Sequence, residues 1–151
     1  LVTNKPAHYK QFDVEMVSDV VANIGPMGGI LSGLTHSQTP LNFITAVDMP
    51  YFNVPLFARL LAVSIANPSP VTVFEHALGV EPLFAIYTKD CLPDLRLFIE
   101  KKNYRLTTFI HDQQSHKIQL STEEAGTFFY NINTWQDMSP AFLRERGRRR
   151  G

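Results

Sequence analysis

One stretch, residues 42–50, limits the possible folds of this chain more than any other, because an apolar run in it ends abruptly in an acid. The run ends at Val47, Asp48 follows it, and Pro50 comes two residues later. Continuous apolar strands are typical of parallel sheets that are covered on both faces. Ligands of open α/β sheets bind outside the carboxyl ends of the strands, where an aspartate can hold a divalent metal against phosphate oxygens. An aspartate that only caps the next turn is the alternative interpretation.

A glycine-rich segment lies upstream of this strand. Its glycines, Gly25, Gly28, Gly29 and Gly33, frame a turn and a helix start, and Pro26 suits the first helical position. Glycines at a helix N-terminus let a ligand approach the backbone, whose free N–H groups attract anions. The segment is neither a G-x-G-x-x-G fingerprint nor a Walker P-loop, because the lysine and the Ser/Thr of those loops are missing. Close packing of a helix on a sheet would explain the same glycines, and spacing alone leaves both interpretations open.

Two asparagines, Asn131 and Asn133, follow an aromatic run near the C-terminal end. Asparagines at i and i+2 on the exit of a strand point to the same side. Thr134 can cap a helix that opens with Gln136 and Asp137. A strand, an Asx turn and a capped helix would account for one of the asparagines without a functional role.

Hydrophobic periodicity predicts alternating strands and helices, and therefore βαβ crossovers in a mostly parallel sheet. Strands are predicted at residues 14–17, 41–47, 71–74, 83–87 and 128–131, helices at residues 27–35, 54–66, 92–102 and 135–146, and short strands or turns at residues 108–111 and 117–120. The single cysteine, Cys91, excludes an intrachain disulfide and is interpreted as structural. The five histidines lack the spacing of metal ligands.

A set of motifs in a fixed order resembles the molybdenum cofactor guanylyltransferases. In chain order they are Ser18-Asp19, GPMGGILSGL, VDMP, EPLFAIY from Glu81, and FYNINTWQDM. The resemblance covers residues 1–142 and implies an α/β fold of the nucleotidyltransferase, glycosyltransferase-A-like type. This fold is a Rossmann-like three-layer sandwich with a mostly parallel sheet, here as a single domain over residues 1–151.

The resemblance also implies that part of the domain precedes this sequence. Members of the family begin with a strand and a glycine-rich signature loop that cradles the triphosphate. Residues 1–6 resemble the second strand of the family and its exit. We therefore expect a further βα unit with a glycine-rich turn before Leu1. The nucleotidyltransferase domain in this sequence is accordingly expected to be N-terminally incomplete.

The activity that the resemblance implies is transfer of GMP from GTP to molybdenum-molybdopterin in the cytoplasm, with release of pyrophosphate. Asp48 is the expected catalytic residue and ligand of Mg²⁺. The expected nucleotide-binding residues are Asn4, Asp19, Gly28, Gly29 and Asp48, and the expected acceptor-binding residues are Glu81, Pro82, Asn131 and Asn133. As a hypothesis, the Asp19 carboxylate accepts from N1–H and the 2-amino group of guanine, which cytosine lacks. Molybdoenzymes or their chaperones are further expected partners.

Three alternatives remain open. The first is a molybdopterin cytidylyltransferase or another sugar or cofactor nucleotidyltransferase, although the string that begins at Glu81 favours the guanylyl branch. The second is a non-catalytic module that binds a nucleotide or cofactor. The third is nucleic-acid binding through the arginine-rich residues 144–150. Nucleic acid and membrane are not expected as partners, because the formal net charge is zero, the pI is near 7.1, and no apolar run approaches a membrane span.

Overall fold

The computed structural model describes residues 1–49 and 52–128 of the chain. The four strands of the sheet in these ranges are β1 (Leu41–Thr45), β2 (Val71–His76), β3 (Gly79–Thr88) and β4 (His116–Gln119). The α-helices are α1 (Pro26–His36), α2 (Val54–Ala66), α3 (Leu92–Glu100), α4 (Leu106–Asp112) and α5 (Thr122–Phe128). Short 3₁₀ helices lie at Pro6–His8, Lys10–Phe12 and Lys89–Cys91.

The sheet is mixed, with the strand order β1-β3-β2-β4. The strands β1, β2 and β4 run in one direction, and β3 runs against them between β1 and β2. The α/β fold class is therefore confirmed, but the mostly parallel sheet is only loosely met, because among the four described strands of the sheet only β2 and β4 form a parallel pair. The cause is the connection between β2 and β3. It consists of Ala77 and Leu78 alone, and a connection of two residues joins antiparallel strands, since a parallel crossover needs a dozen residues or more.

Apolar cores on both faces of the sheet make the fold a three-layer sandwich, as expected. Alternate residues of a strand point to opposite faces. Within β3, Ala85 and Tyr87 join the core that holds α1, α3 and α4, whereas Phe84 and Ile86 join the core under α2. Both cores include side chains that are fully buried, such as Tyr87 on one face and Leu60 on the other.

Two helices begin where the sequence places their signals. The Oδ1 atom of Asn53 accepts a hydrogen bond from the N–H of Leu56 at 2.8 Å, which caps α2, and Pro55 lies in the first turn. Asn67 ends α2, so the predicted helix at residues 54–66 is confirmed. Gly25 precedes α1 with φ of 65°, a left-handed conformation that glycine adopts without strain.

Residues 108–111 were predicted as a short strand or turn, and this prediction is wrong. They belong to α4, in which Leu106, Phe109 and Ile110 are buried at helical spacing. The periodicity of the short run Thr108–His111 could not distinguish the two because α4 itself is only seven residues long.

The predicted strand at residues 14–17 is reduced to one parallel bridge between Val2 and Val17. Val14 is exposed, so this segment buries too little apolar surface to extend the pairing. The predicted strand at residues 128–131 and helix at residues 135–146 lie outside the described residues, except that Phe128 is the last residue of α5.

Candidate functional site

Asp48 follows the end of β1 that pairs with the part of β3 next to Glu81 and Pro82. Thr45 at the end of β1 pairs with Phe84 of β3, and the N–H of Ala46 donates to the carbonyl of Leu83 at 3.1 Å. The chain after Ala46 therefore leaves the sheet beside the part of β3 that precedes Leu83. Asp48 lies in the exposed turn that follows, with its carboxylate accessible to solvent. The structure thus places the expected metal ligand at the carboxyl end of β1, next to the first two expected acceptor residues.

Glu81 is held by a histidine that sequence reasoning did not select. His76 Nε2 lies 2.7 Å from Glu81 Oε1, and the N–H of Leu78 donates to His76 Nδ1 at 3.2 Å. Because Nδ1 accepts, the ring hydrogen resides on Nε2, and the imidazole donates to the carboxylate. The side chains of His76 and Glu81 are only 8% and 21% exposed. Sequence reasoning missed His76 because the hairpin that brings it beside Glu81 was not predicted.

Pro82 has a backbone role in the same hairpin. Its carbonyl accepts a hydrogen bond of 2.8 Å from the hydroxyl of Tyr87, whose ring is fully buried. Burial raises the pKa of Tyr87, so this phenol stays protonated and remains a donor. The bond ties the start of β3 to its buried end, and so fixes the backbone next to Glu81.

Asn4 and Asp19 form a two-point contact. Asn4 Nδ2 donates to Asp19 Oδ2 at 2.8 Å, and the N–H of Asp19 donates back to Asn4 Oδ1 at 3.0 Å. Each lies two residues after a member of the parallel bridge between Val2 and Val17, so the two segments carry them forward side by side. The structure therefore brings together the two polar residues that were expected to bind the nucleotide.

A buried serine connects the loop after Asp19 to the first turn of α1. The hydroxyl of Ser32 donates to the carbonyl of Gly28 at 2.8 Å and accepts from the N–H of Val20, also at 2.8 Å. Ser32 is 2% exposed. Sequence reasoning missed this residue, because a serine inside an apolar helix gives no sign of the distant N–H that it binds.

The two expected glycines differ in their surroundings. A Cβ atom at Gly28 would lie 2.8 Å from the carbonyl oxygen of Val21 and 2.9 Å from Ile24 Cγ1, so close packing requires a glycine there. A Cβ atom at Gly29 would meet nothing within 4 Å. Of the two interpretations of this segment, packing explains Gly28, whereas Gly29 leaves open space beside the first turn of α1.

The loop that carries Asp19 leads directly into α1, and α1 leads to β1. Asn131 and Asn133 lie outside the described residues.

An open groove of about 440 Å³ lies at the start of β1, at the other end of the strand from Asp48. Its lining residues are Gln38, Thr39, Pro40, Leu41, Thr88, Lys89 and Asp90. Leu41 is the first residue of β1, so the groove is separated from Asp48 by the length of the strand. It holds none of the residues that the sequence analysis selected.

Cys91 has the properties of a structural thiol. Its side chain is fully buried, and its sulfur donates to the carbonyl of Thr88 at 3.0 Å. Burial raises the pKa of Cys91 to about 12, which keeps the thiol protonated and weakly nucleophilic. Across residues 1–49 and 52–128, no three His, Cys, Asp or Glu side chains converge as a ready metal site. None of the described helices is both long and apolar enough to cross a membrane.

Comparison with known proteins shows the family of the chain. Residues 1–118 match the family model described as the MobA-like NTP transferase domain. A relative from Flavobacterium johnsoniae, named probable molybdenum cofactor guanylyltransferase, is 30% identical over 132 residues, which are 87% of this chain and 68% of the relative.

Two solved structures share the fold. Molybdopterin-guanine dinucleotide biosynthesis protein A from Archaeoglobus fulgidus superposes with a TM-score of 0.73 at 19% identity, over 97% of this chain and 77% of that protein. A protein from Aquifex aeolicus gives a TM-score of 0.75 at 20% identity, over 88% of this chain and 69% of its own.

Proposed function

The chain belongs to the family of MobA-like NTP transferases, and from this premise we propose that it transfers GMP from GTP to the terminal phosphate of molybdenum-molybdopterin. Family membership makes the chain a nucleotidyltransferase of molybdenum cofactor biosynthesis. The name of the relative from F. johnsoniae supports the guanylyl reaction. The observation that carries the proposal is the two-point contact of Asn4 with Asp19, the two polar residues expected to bind the nucleotide.

The proposed reaction needs little proton transfer. An oxygen of the acceptor's terminal phosphate attacks the α-phosphorus of GTP, the bond from that phosphorus to the bridging oxygen breaks, and its electron pair leaves with pyrophosphate. The attacking oxygen is already anionic, so no protein base has to remove a proton. The main obstacle is repulsion between two phosphate groups, which electrostatic stabilisation lowers.

Asp48 would hold the Mg²⁺ ion of this reaction. Magnesium sites in such enzymes use one or two carboxylates and complete the coordination with substrate phosphates and water. One accessible carboxylate at the carboxyl end of β1 fits this pattern, and it needs no cluster of protein ligands. When bound, the ion would neutralise phosphate charge and align the reacting groups. Asp48 contributes the fixed negative charge that keeps the ion at this end of β1.

Asp19 would distinguish guanine from other bases. Asn4 contacts one carboxylate oxygen, Oδ2, and the backbone N–H of Asp19, which leaves Oδ1 for a ligand. Guanine presents N1–H and the 2-amino group as neighbouring donors, and a carboxylate can accept from both. Asn4 supports this role by holding the carboxylate. Gly29, beside the first turn of α1, leaves room for the phosphates to approach the N–H groups of the helix.

Glu81, together with Pro82, would bind the acceptor on the neighbouring hairpin. The hydrogen bond from His76 fixes one oxygen of Glu81 and leaves the carboxylate able to accept from N–H donors of the acceptor. Asn131 and Asn133 are proposed to face the acceptor as well. We propose the cytoplasm as the compartment and molybdoenzymes or their chaperones as recipients of the product.

Replacing Asp48 with asparagine tests the function. The Asp48→Asn variant removes one anionic ligand with little change in volume, so we expect guanylyl transfer to fall by about 10²-fold or more. The assay follows pyrophosphate release from GTP in the presence of molybdenum-molybdopterin and Mg²⁺, and circular dichroism checks the fold.

The matched control is Asp112→Asn, which removes an exposed carboxylate at the end of α4 and should leave the rate unchanged. Near wild-type turnover of Asp48→Asn at low magnesium would contradict the assignment. Efficient use of CTP in place of GTP by the unaltered protein would instead indicate the cytidylyl branch.

A further inference from the structure

We infer that Ser32 is a positioning residue for Asp19, and this inference rests on the proposed recognition of guanine by Asp19. Ser32 cannot itself contact a nucleotide, because it is 2% exposed within α1. Its hydroxyl instead reaches the loop that carries Asp19 through the N–H of Val20, at 2.8 Å.

The hydroxyl of Ser32 has a fixed direction. A hydroxyl has one hydrogen to donate, and in Ser32 the carbonyl of Gly28 accepts it at 2.8 Å. The remaining lone pairs of the oxygen receive the N–H of Val20. Ser32 therefore acts as an acceptor toward the loop, and a side chain without an acceptor at this position cannot replace it.

Two successive N–H groups of the loop are held from different parts of the fold. The N–H of Asp19 donates to Asn4 Oδ1 at 3.0 Å, and the N–H of Val20 donates to Ser32 Oγ. Asn4 also donates to the carboxylate of Asp19. Together these bonds fix the backbone on both sides of the Asp19 side chain, as well as one of its carboxylate oxygens.

Ser32 also sets the loop relative to the helix start. Gly28, whose carbonyl accepts from Ser32, lies in the first turn of α1, next to Gly29. One hydroxyl thus connects the residue proposed to bind the base with the helix end proposed to face the phosphates. The distance between base and phosphates in a nucleotide is limited by its ribose, so a fixed spacing between these two parts of the protein favours one binding geometry.

The test compares GTP with ITP, which lacks the 2-amino group of guanine. A hydrogen bond to a charged group corresponds to about ten- to a hundredfold in affinity, so the unaltered full-length protein should prefer GTP by about that factor. The Asp19→Ala variant should lose the preference. We expect Ser32→Ala to reduce the ratio of the two dissociation constants by about threefold or more, because the carboxylate is no longer held in one place. Calorimetric titration gives both constants.

Two further variants separate positioning from general damage. Ser32→Thr keeps the hydroxyl, which can still bond the carbonyl four residues earlier, and should restore the preference. Ser64→Ala is the matched control, because Ser64 is 3% exposed in α2 and its hydroxyl oxygen has no hydrogen-bond partner among the described residues. It should leave the preference unchanged. If Ser32→Ala does not fold, Ser32→Cys provides the weakened acceptor at similar volume.

The outcomes distinguish this inference from the function on which it rests. An unaltered preference in folded Ser32→Ala, with the preference lost in Asp19→Ala, would overturn the role of Ser32 and leave the proposed function standing. Equal affinity of the unaltered protein for GTP and ITP would overturn base recognition by Asp19, and with it the role of Ser32. Equal losses of GTP and ITP affinity in Ser32→Ala would show a structural effect alone and would also overturn the inference.

Discussion

Replacing Gly28 and Gly29 separately with alanine tests the packing of α1 at the site. Both glycines lie in the first turns of the same helix, so both replacements gain helix propensity of about 1 kcal/mol. At Gly28, however, the new Cβ atom would lie 2.8 Å from the carbonyl oxygen of Val21, where ordinary contacts are 3.4–4 Å. At Gly29 the Cβ atom would meet open space.

The comparison isolates the steric cost. Overpacking a well-packed site costs about 1–3 kcal/mol, and the gain in helix propensity cancels between the two variants. We therefore expect Gly28→Ala to be less stable than Gly29→Ala by about 1–3 kcal/mol. Relative to the unaltered protein, Gly29→Ala should be more stable and Gly28→Ala equally or less stable.

Urea unfolding, followed by circular dichroism, measures this difference. A difference of 1 kcal/mol corresponds to about 2–4 °C in Tm for a domain of 150–250 residues, so thermal scans provide a second estimate. Equal stability of the two alanine variants would refute the packing argument at Gly28. Titration with GTP adds a separate result: a more stable Gly29→Ala with weakened GTP binding would support close approach of the nucleotide at Gly29, and unchanged binding would count against it.

Two further predictions concern residues away from the site. Because burial raises the pKa of Cys91 to about 12, a thiol reagent at pH 8 should not modify Cys91 in the native protein but should modify it fully in guanidinium chloride; rapid native modification would contradict its burial. Ser121 and Glu124 cap α5 reciprocally, and the bonds from Ser121 lower the pKa of Glu124 below its ordinary value of 4.5. The ionised carboxylate thus contributes fully to folding stability above pH 4.5, and this contribution is lost as the pH falls through the lowered pKa. The loss of stability in Ser121→Ala should therefore be smaller in acid than at neutral pH. A loss of stability that does not change with pH would contradict the cap.

Local signals explain which elements the sequence could predict. The helix at Val54–Ala66 has a capping asparagine, a proline in its first turn and a stop at Asn67, and all three act within a few residues of the helix ends. The strand at Leu41–Thr45 was predicted from another local signal, its apolar run, although it ends two residues before the predicted limit. Its last apolar residue, Val47, is 80% exposed, because the chain has already turned toward Asp48.

Local signals of this kind do not predict which strands pair with each other. The prediction placed strands at residues 71–74 and 83–87 in a mostly parallel sheet and did not specify how they pair, whereas β2 and β3 form an antiparallel hairpin around Ala77 and Leu78. The pattern at the turn contains Gly79, with φ of 127°, but no Asn-Gly or Asp-Gly pair that would indicate a hairpin. The capping pair of Ser121 and Glu124 was a readable signal for α5 that the sequence analysis did not use.

In the candidate site, the sequence predicted individual residues but not the hydrogen bonds that hold them. The resemblance to the family selected Asp19 and Glu81 by their places in its motifs, but a carboxylate without a fixed partner can point in many directions and has little selectivity. In the structure each carboxylate has a partner, Asn4 for Asp19 and His76 for Glu81, and each partner also forms a hydrogen bond with a backbone N–H. A partner that binds both side chain and backbone fixes a carboxylate relative to the sheet, and only a fixed carboxylate can distinguish ligands by the placement of their donors. Selectivity at these carboxylates therefore depends also on the residues that hold them. The resemblance selected one of these partners, Asn4, whereas the other, His76, belongs to none of the motifs and was missed.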